Sequence, residues 1–126
     1  MTSKILIVDD SLTSRNLMWL ALSSAGYKIV HAVDGEDGLA KAERENPDMV
    51  VTDLNMPKLY GLGFTKKLRA IERFRDLPIV ILTTETERRK KIEAVGAGAT
   101  AWLAKPVEAE TLLATMRKLD PSRAIT

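Results

Sequence analysis

The chain has no cysteine, so neither a disulfide framework nor thiolate chemistry is open to it. It has a single histidine, His31, which stands at the end of a predicted strand with no partner at metal-ligand spacing and reads as a packed or solvated side chain. Aromatic residues make up only 5% of the chain. They are too few and too scattered for a base-stacking platform, and no recognition helix is evident, so nucleic acid is not an expected partner. No apolar run approaches the roughly 20 residues that span a bilayer. The chain enters its first strand pattern at Lys4 without a cationic leader or an apolar h-region, so neither membrane insertion nor secretion is expected, and the cytoplasm is the expected location. There is also little charge imbalance, with 19 basic against 17 acidic residues. The densest basic run, Arg88-Arg89-Lys90-Lys91, is flanked by Glu85, Glu87 and Glu93 and reads as a solvated helix face.

What is present is a regular alternation. Short β-branched runs predict strands over 4–8, 27–32, 49–53, 78–83 and 100–104, and helical patterns lie between them over 12–25, 36–45, 62–73, 86–95 and 108–118. Ser11 can cap the first helix and Gly26 end it, Asn46-Pro47 stops the second, and Gly96-Ala97-Gly98 turns the chain out of the fourth. Within the first helix, a period of 3.6 assigns Leu17, Met18, Ala21, Leu22 and Ala25 to the core and leaves Trp19 and Leu20 outside. Five successive βα units imply a parallel sheet with helices on both faces. The 126 residues suit one domain, 1–126, without an output domain, and the tail 120–126 is expected to fray.

Four of the strand runs stop at polar residues of one chemical theme: Asp9 and Asp10, then Asp53, then Thr83, then Lys105-Pro106. Parallel strands deliver such residues to one edge, where open α/β sheets place their ligands. Adjacent carboxylates repel by roughly 4 kcal/mol at about 4 Å and an effective dielectric near 20, so a cation must offset them. Asp9, Asp10 and Asp53 offer only hard oxygen, which selects Mg²⁺ or Mn²⁺. An incomplete protein shell of this kind implies a phosphoryl group as the other ligand, with Thr83 donating to one oxygen and Lys105 neutralising another. Asp53, the most central, is the expected nucleophile, giving an acyl phosphate.

The segments Ile5-Leu6-Ile7-Val8-Asp9-Asp10, Asp53-Leu54-Asn55-Met56-Pro57, Leu82-Thr83-Thr84 and Lys105-Pro106 resemble, in order and spacing, the motifs of response-regulator receiver domains, and the likeness runs the length of the chain. With Asn55 two residues after the acceptor and Glu85 two after Thr83, the single-domain chemotaxis CheY type is the nearest likeness. The resemblance implies a flavodoxin-like doubly wound sheet of order 2-1-3-4-5. It implies that Asp53 accepts a phosphoryl group from a phosphohistidine of a sensor histidine kinase. Asp10, Asp53 and the backbone carbonyl of Asn55 would hold Mg²⁺ directly, and Asp9 through water. Lys105 would pair with the phosphoryl group across a cis bond to Pro106, and Thr83 and Trp102 would act as the switch pair. The fourth helix, fifth strand and fifth helix would face a downstream protein target, the domain acting as a monomer and turning over no substrate other than its own phosphoryl group.

Tyr60 stands where the family commonly has Asp, Trp102 is larger than the usual Tyr or Phe and reads as either a switch or a fixed packing residue, and Trp19 is a candidate docking residue. Within signalling, the alternative to a chemotaxis switch is a phosphate sink or phosphorelay intermediate. Haloacid-dehalogenase-type phosphatases share an Asp nucleophile, Mg²⁺, Thr and Lys, but they place the nucleophile after the first strand in an Asp-x-Asp motif. A flavodoxin would need a neutral phosphate loop where this chain has two carboxylates.

Overall fold

A computed structural model of the chain describes residues 3–54, 61–84 and 88–121, without the side chains of residues 61, 88–91 and 94. Five strands, β1 Lys4–Val8, β2 Lys28–Ala32, β3 Met49–Asp53, β4 Ile79–Thr83 and β5 Ala101–Ala104, alternate with five helices, α1 Leu12–Ser23, α2 Gly35–Glu45, α3 Gly61–Ala70, α4 Arg88–Ala97 and α5 Ala109–Leu119. The strands form one sheet of order β2-β1-β3-β4-β5. Every pairing is parallel, as helical crossovers between successive strands require. The middle strands β3 and β4 are buried along their whole length, which is why each opens on a continuous apolar run, Met49 to Val51 and Ile79 to Leu82, rather than alternating.

Side chains alternate across the sheet and so build two cores. Leu6, Val8, Val50 and Ile79 point to one face and pack with Ala42 of α2 and Phe64 and Leu68 of α3. Ile5, Ile7, Val51 and Leu82 point to the other and pack with Met18 and Leu22 of α1 and Leu112 and Met116 of α5. Gly38 lets α2 lie close on this architecture, because a Cβ there would come within 3.0 Å of the Phe64 ring.

Element ends follow local chemistry. The Ser11 side chain accepts from the Ser14 amide at the start of α1, and Asp34 accepts from the Asp37 amide at the start of α2, in each case satisfying an orphan N–H of the first turn. Asn46 ends α2 in the left-handed region at φ 48.

Four expectations change. The third helix stops at Ala70 rather than Arg73: Ile71 turns extended, and a short 3-10 turn over Glu72–Phe74 follows, so that Phe74 returns to the core at 3% exposure. The fourth helix runs through Gly96 to end at Ala97, and Gly98 follows at φ +104; its expected start at residue 86 lies outside the described residues. In α1, which ends at Ser23, Leu17 is 65% exposed, and Ala25 beyond it is also exposed. The buried stripe is the narrower i, i+4 pair Met18 and Leu22, which pack with Ile5, Ile7, Leu112 and Met116. Asp120, expected to belong to a frayed tail, is buried and accepts a hydrogen bond from the Ser3 hydroxyl at 2.6 Å.

Candidate metal and phosphoryl site

The carboxyl edge of the sheet assembles the site from four strands. Val8 lies level with Thr52 across the β1–β3 pairing, so Asp9 and Asp53, one step on, emerge side by side. Asp53 lies level with Leu82, which sets Thr83 one step beyond on β4. Carboxylate oxygens of Asp9, Asp10 and Asp53 all fall within 4.8 Å of one another. Asp9 and Asp53 are buried and Asp10 is exposed. Lys105, just past β5, reaches across with Nζ 3.2 Å from Asp9 Oδ2 and 3.1 Å from Asp53 Oδ2.

Both oxygens of Asp9 are engaged. Oδ1 accepts from the Ser11 amide at 2.9 Å and Oδ2 from Lys105. Burial alone would push the Lys105 ammonium toward release of its proton, but the attraction of Asp9 and then Asp53 outweighs it and raises its pKa above the ordinary lysine value. Three carboxylates and one ammonium still leave two formal negative charges in a small, half-sheltered space. A hard, doubly positive ion matches both that charge and the all-oxygen donor set, so the residues present fit Mg²⁺.

Of the other expected site residues, Thr83 is fully buried at the end of β4, and its carbonyl accepts from the Lys105 amide at 2.8 Å, which ties the two loops together. The Lys105–Pro106 bond is cis. Trp102, level with Ile81 on β5, is half-buried and packs with Leu62 and Ala99 against Leu54 and Ile81. Asn55, Tyr60 and Glu85 lie outside the described residues. Trp19 and Leu20 are 45% and 57% exposed. Leu20 and Leu17 line an apolar groove of about 690 Å³ between α1 and α5, whose lining also includes Thr84 and Lys105.

Arg15 was not singled out from the sequence. Its Nη1 donates to the Asp9 carbonyl at 2.6 Å, bracing the turn between β1 and α1; its place in the second turn of the helix that follows the two aspartates was the available signal. His31 is half-buried on β2, and burial, then Arg15 and Lys41, lower its pKa.

Comparison with known proteins agrees with this geometry. The family described as response regulator receiver domain matches residues 5–117. The chain is 38% identical over 116 residues to the DNA-binding dual master transcriptional regulator RpaA of Synechocystis, covering 92% of this chain and 48% of that protein. It is thus about half the length of that relative. It is 38% identical over 117 residues to chemotaxis protein CheY-3 of Vibrio cholerae, covering 92% and 90% of the two chains. Among solved structures, Vibrio cholerae CheY4 superposes with TM-score 0.91 at 41% identity, covering 94% of this chain and 99% of that one. The receiver domain of the Pseudomonas aeruginosa sensor histidine kinase PA1611, solved with magnesium coordinated in its active site cleft, superposes with TM-score 0.87 at 28% identity over 94% and 98% of the two chains.

Proposed function

Because the chain belongs to the response-regulator receiver family, we propose that Asp53 is its phosphoacceptor, taking a phosphoryl group from a phosphohistidine of a partner histidine kinase. The observation that carries this reading is the meeting of Asp9, Asp10 and Asp53 oxygens within 4.8 Å, with Lys105 Nζ between two of them.

An ionised Asp53 oxygen attacks phosphorus, the phosphorus–nitrogen bond to the donor imidazole breaks, and the departing nitrogen keeps the electron pair. No general base is needed, since the attacking carboxylate carries no proton. Mg²⁺, when bound, supplies neutralisation of the carboxylates and of the transferring oxygens. Asp10, Asp53 and the Asn55 carbonyl would hold it directly. Asp9, whose oxygens are already engaged by Ser11 and Lys105, would hold it through water. Lys105 then exchanges its Asp53 contact for a phosphoryl oxygen, and Thr83 donates to another.

The chain turns over no external substrate. Its output is a population shift in which the Thr83 and Lys105 contacts favour one arrangement of the face formed by α4, β5 and α5, with Trp102 moving further into the space beside Ile81. Moving the ratio from 1:99 to 99:1 takes about 5.5 kcal/mol, the order that two charge-assisted hydrogen bonds to a phosphoryl group provide. Likeness to short chemotaxis proteins supports a motility target for that face.

Incubation with Mg²⁺ and acetyl phosphate, followed by mass spectrometry, is the test. One phosphoryl group per chain is expected on Asp53, none without Mg²⁺ and none in Asp53→Asn. Labelling at another residue would overturn the assignment, and sustained turnover of small phosphate esters would favour a phosphatase.

A further inference from the structure

The C-terminal end of α4 is firmly held. Ile92 and Val95 are each 62% exposed, whereas Ala97, the last residue of the helix, is 4% exposed. Just beyond it, Arg69 reaches over from α3 as a three-pronged strut. Its Nε donates to the Gly98 carbonyl at 2.9 Å, Nη1 to the Phe74 carbonyl at 2.9 Å and Nη2 to the Thr100 hydroxyl at 3.2 Å. The same Thr100 hydroxyl accepts from the Ile79 amide at 3.0 Å, at the start of β4. One guanidinium thus joins α3, the 3-10 turn, the end of α4 and the two edge-side strands. It is built for this position: a Cβ on Gly98 would come within 2.8 Å of Arg69 Cγ, and Gly98 sits at φ +104, where side chains are disfavoured.

We infer that Arg69 is a pivot, a positioning residue that fixes the C-terminal end of α4 and so confines any rearrangement of α4 to a swing of its N-terminal end, the end reached directly from Thr83. The planar fork matters here. A carbonyl at the end of a helix, a carbonyl of a separate turn and a hydroxyl are satisfied at once by N–H groups in fixed mutual geometry, which a lysine cannot reproduce. Ile92 and Val95, exposed on α4, contribute little burial to resist such a swing, and the anchored far end makes the helix a lever.

The direction of motion rests on the proposed phosphorylation of Asp53, while the anchoring does not, and the two are measured separately. In the unphosphorylated protein, amide hydrogen exchange at Gly98 and Thr100 is expected to rise about tenfold or more in Arg69→Gln, since several hydrogen bonds of modest net strength are lost together. Exchange at Leu54, whose amide bonds to Leu82, is expected to stay unchanged. Arg69→Lys should restore little of the protection, and Thr100→Ala, which removes one prong together with the acceptor of the Ile79 amide, should give a smaller rise than Arg69→Gln at Gly98. Equal exchange at Gly98 in wild type and Arg69→Gln, or a rise matched at Leu54, overturns the anchor. With Mg²⁺ and acetyl phosphate, the change in exchange along wild-type α4 is expected to be largest near Arg88 and to vanish at Ala97. In Arg69→Gln that gradient should be lost although Asp53 is still labelled. A change greatest at Ala97 overturns the pivot. Failure to label Asp53 overturns the proposed function and leaves the anchor to be decided by the unphosphorylated comparison.

Discussion

In the proposed reaction Lys105 serves two states. Its ammonium holds Asp9 and Asp53 at 3.2 and 3.1 Å and would meet phosphoryl charge in the proposed transfer. Replacing it by methionine leaves a fully buried Asp9 without its counter-charge and takes one cation from the transfer. Labelling of Lys105→Met by acetyl phosphate is expected to slow by roughly 10²-fold, the scale of losing one preorganised donor, as read from a mass-spectrometric time course. His31 makes the opposite kind of prediction. Burial and the charges of Arg15 and Lys41 lower its folded pKa, so the unfolded chain binds the proton more readily. Its contribution to stability is therefore complete above the unfolded value of about 6.5 and declines as pH falls toward the lower folded pKa. Between about pH 7.5 and 5.5 the wild type is expected to lose more urea stability than His31→Gln, which lacks that titration. Equal losses would show that the imidazole is not penalised in the fold.

At the scale of elements, caps and packing do different work. The Asp34 carboxylate accepts from the Asp37 amide at 2.8 Å and fixes where α2 begins, so Asp34→Ala is expected to cost about 1 kcal/mol in urea unfolding. Phe64, fully buried, joins α3 to α2 and β1 through its contacts with the Gly38 backbone and Val8. Phe64→Ala should cost about 3–5 kcal/mol, the transfer and cavity cost of a core aromatic. The fourth helix is different in kind. Among its described side chains Ile92 and Val95 face solvent, and its C-terminal end is secured by the buried Ala97 and by Arg69 on the Gly98 carbonyl. An element held by polar contacts at one end is the one best able to change place without unfolding the core.

At the scale of the whole molecule, the site is a stability cost that the rest of the fold carries. Two hydrophobic layers on either side of the sheet hold three carboxylate oxygens within 4.8 Å of one another, where each pair repels by roughly 3–4 kcal/mol at an effective dielectric near 20. Removing one charge should therefore stabilise the metal-free protein, an instance of stability traded for function. Asp10→Ala is expected to melt higher than wild type in EDTA. Wild type should gain about 2.7 kcal/mol when Mg²⁺ is raised to 100 times its dissociation constant, and Asp10→Ala should gain much less. Denaturation with and without Mg²⁺ reads both effects, and an Asp10→Ala protein that gains as much as wild type would remove Asp10 from the proposed ligand set.

Local pattern was enough to place β1 and β3 to the residue and to identify the five βα units, because buried parallel strands are written as unbroken apolar runs and helices end where Gly, Asn or a polar cap intervenes. It also determined that Asp9, Asp10, Asp53 and Lys105 would meet, since parallel strands of similar length can only discharge at one edge. Tertiary packing decided what depends on neighbours distant in sequence. The demand of Phe74 for the core broke α3 at Ile71, and α1 buried Met18 and Leu22 while leaving Leu17 exposed. Residues 44 and 117 positions apart in sequence, Asp48 with Lys4 and Asp120 with Ser3, found each other only after the sheet had closed. Arg15 and Arg69 belong to this second group: a guanidinium takes its role from which carbonyls fold into its reach, and no pattern along the chain records that.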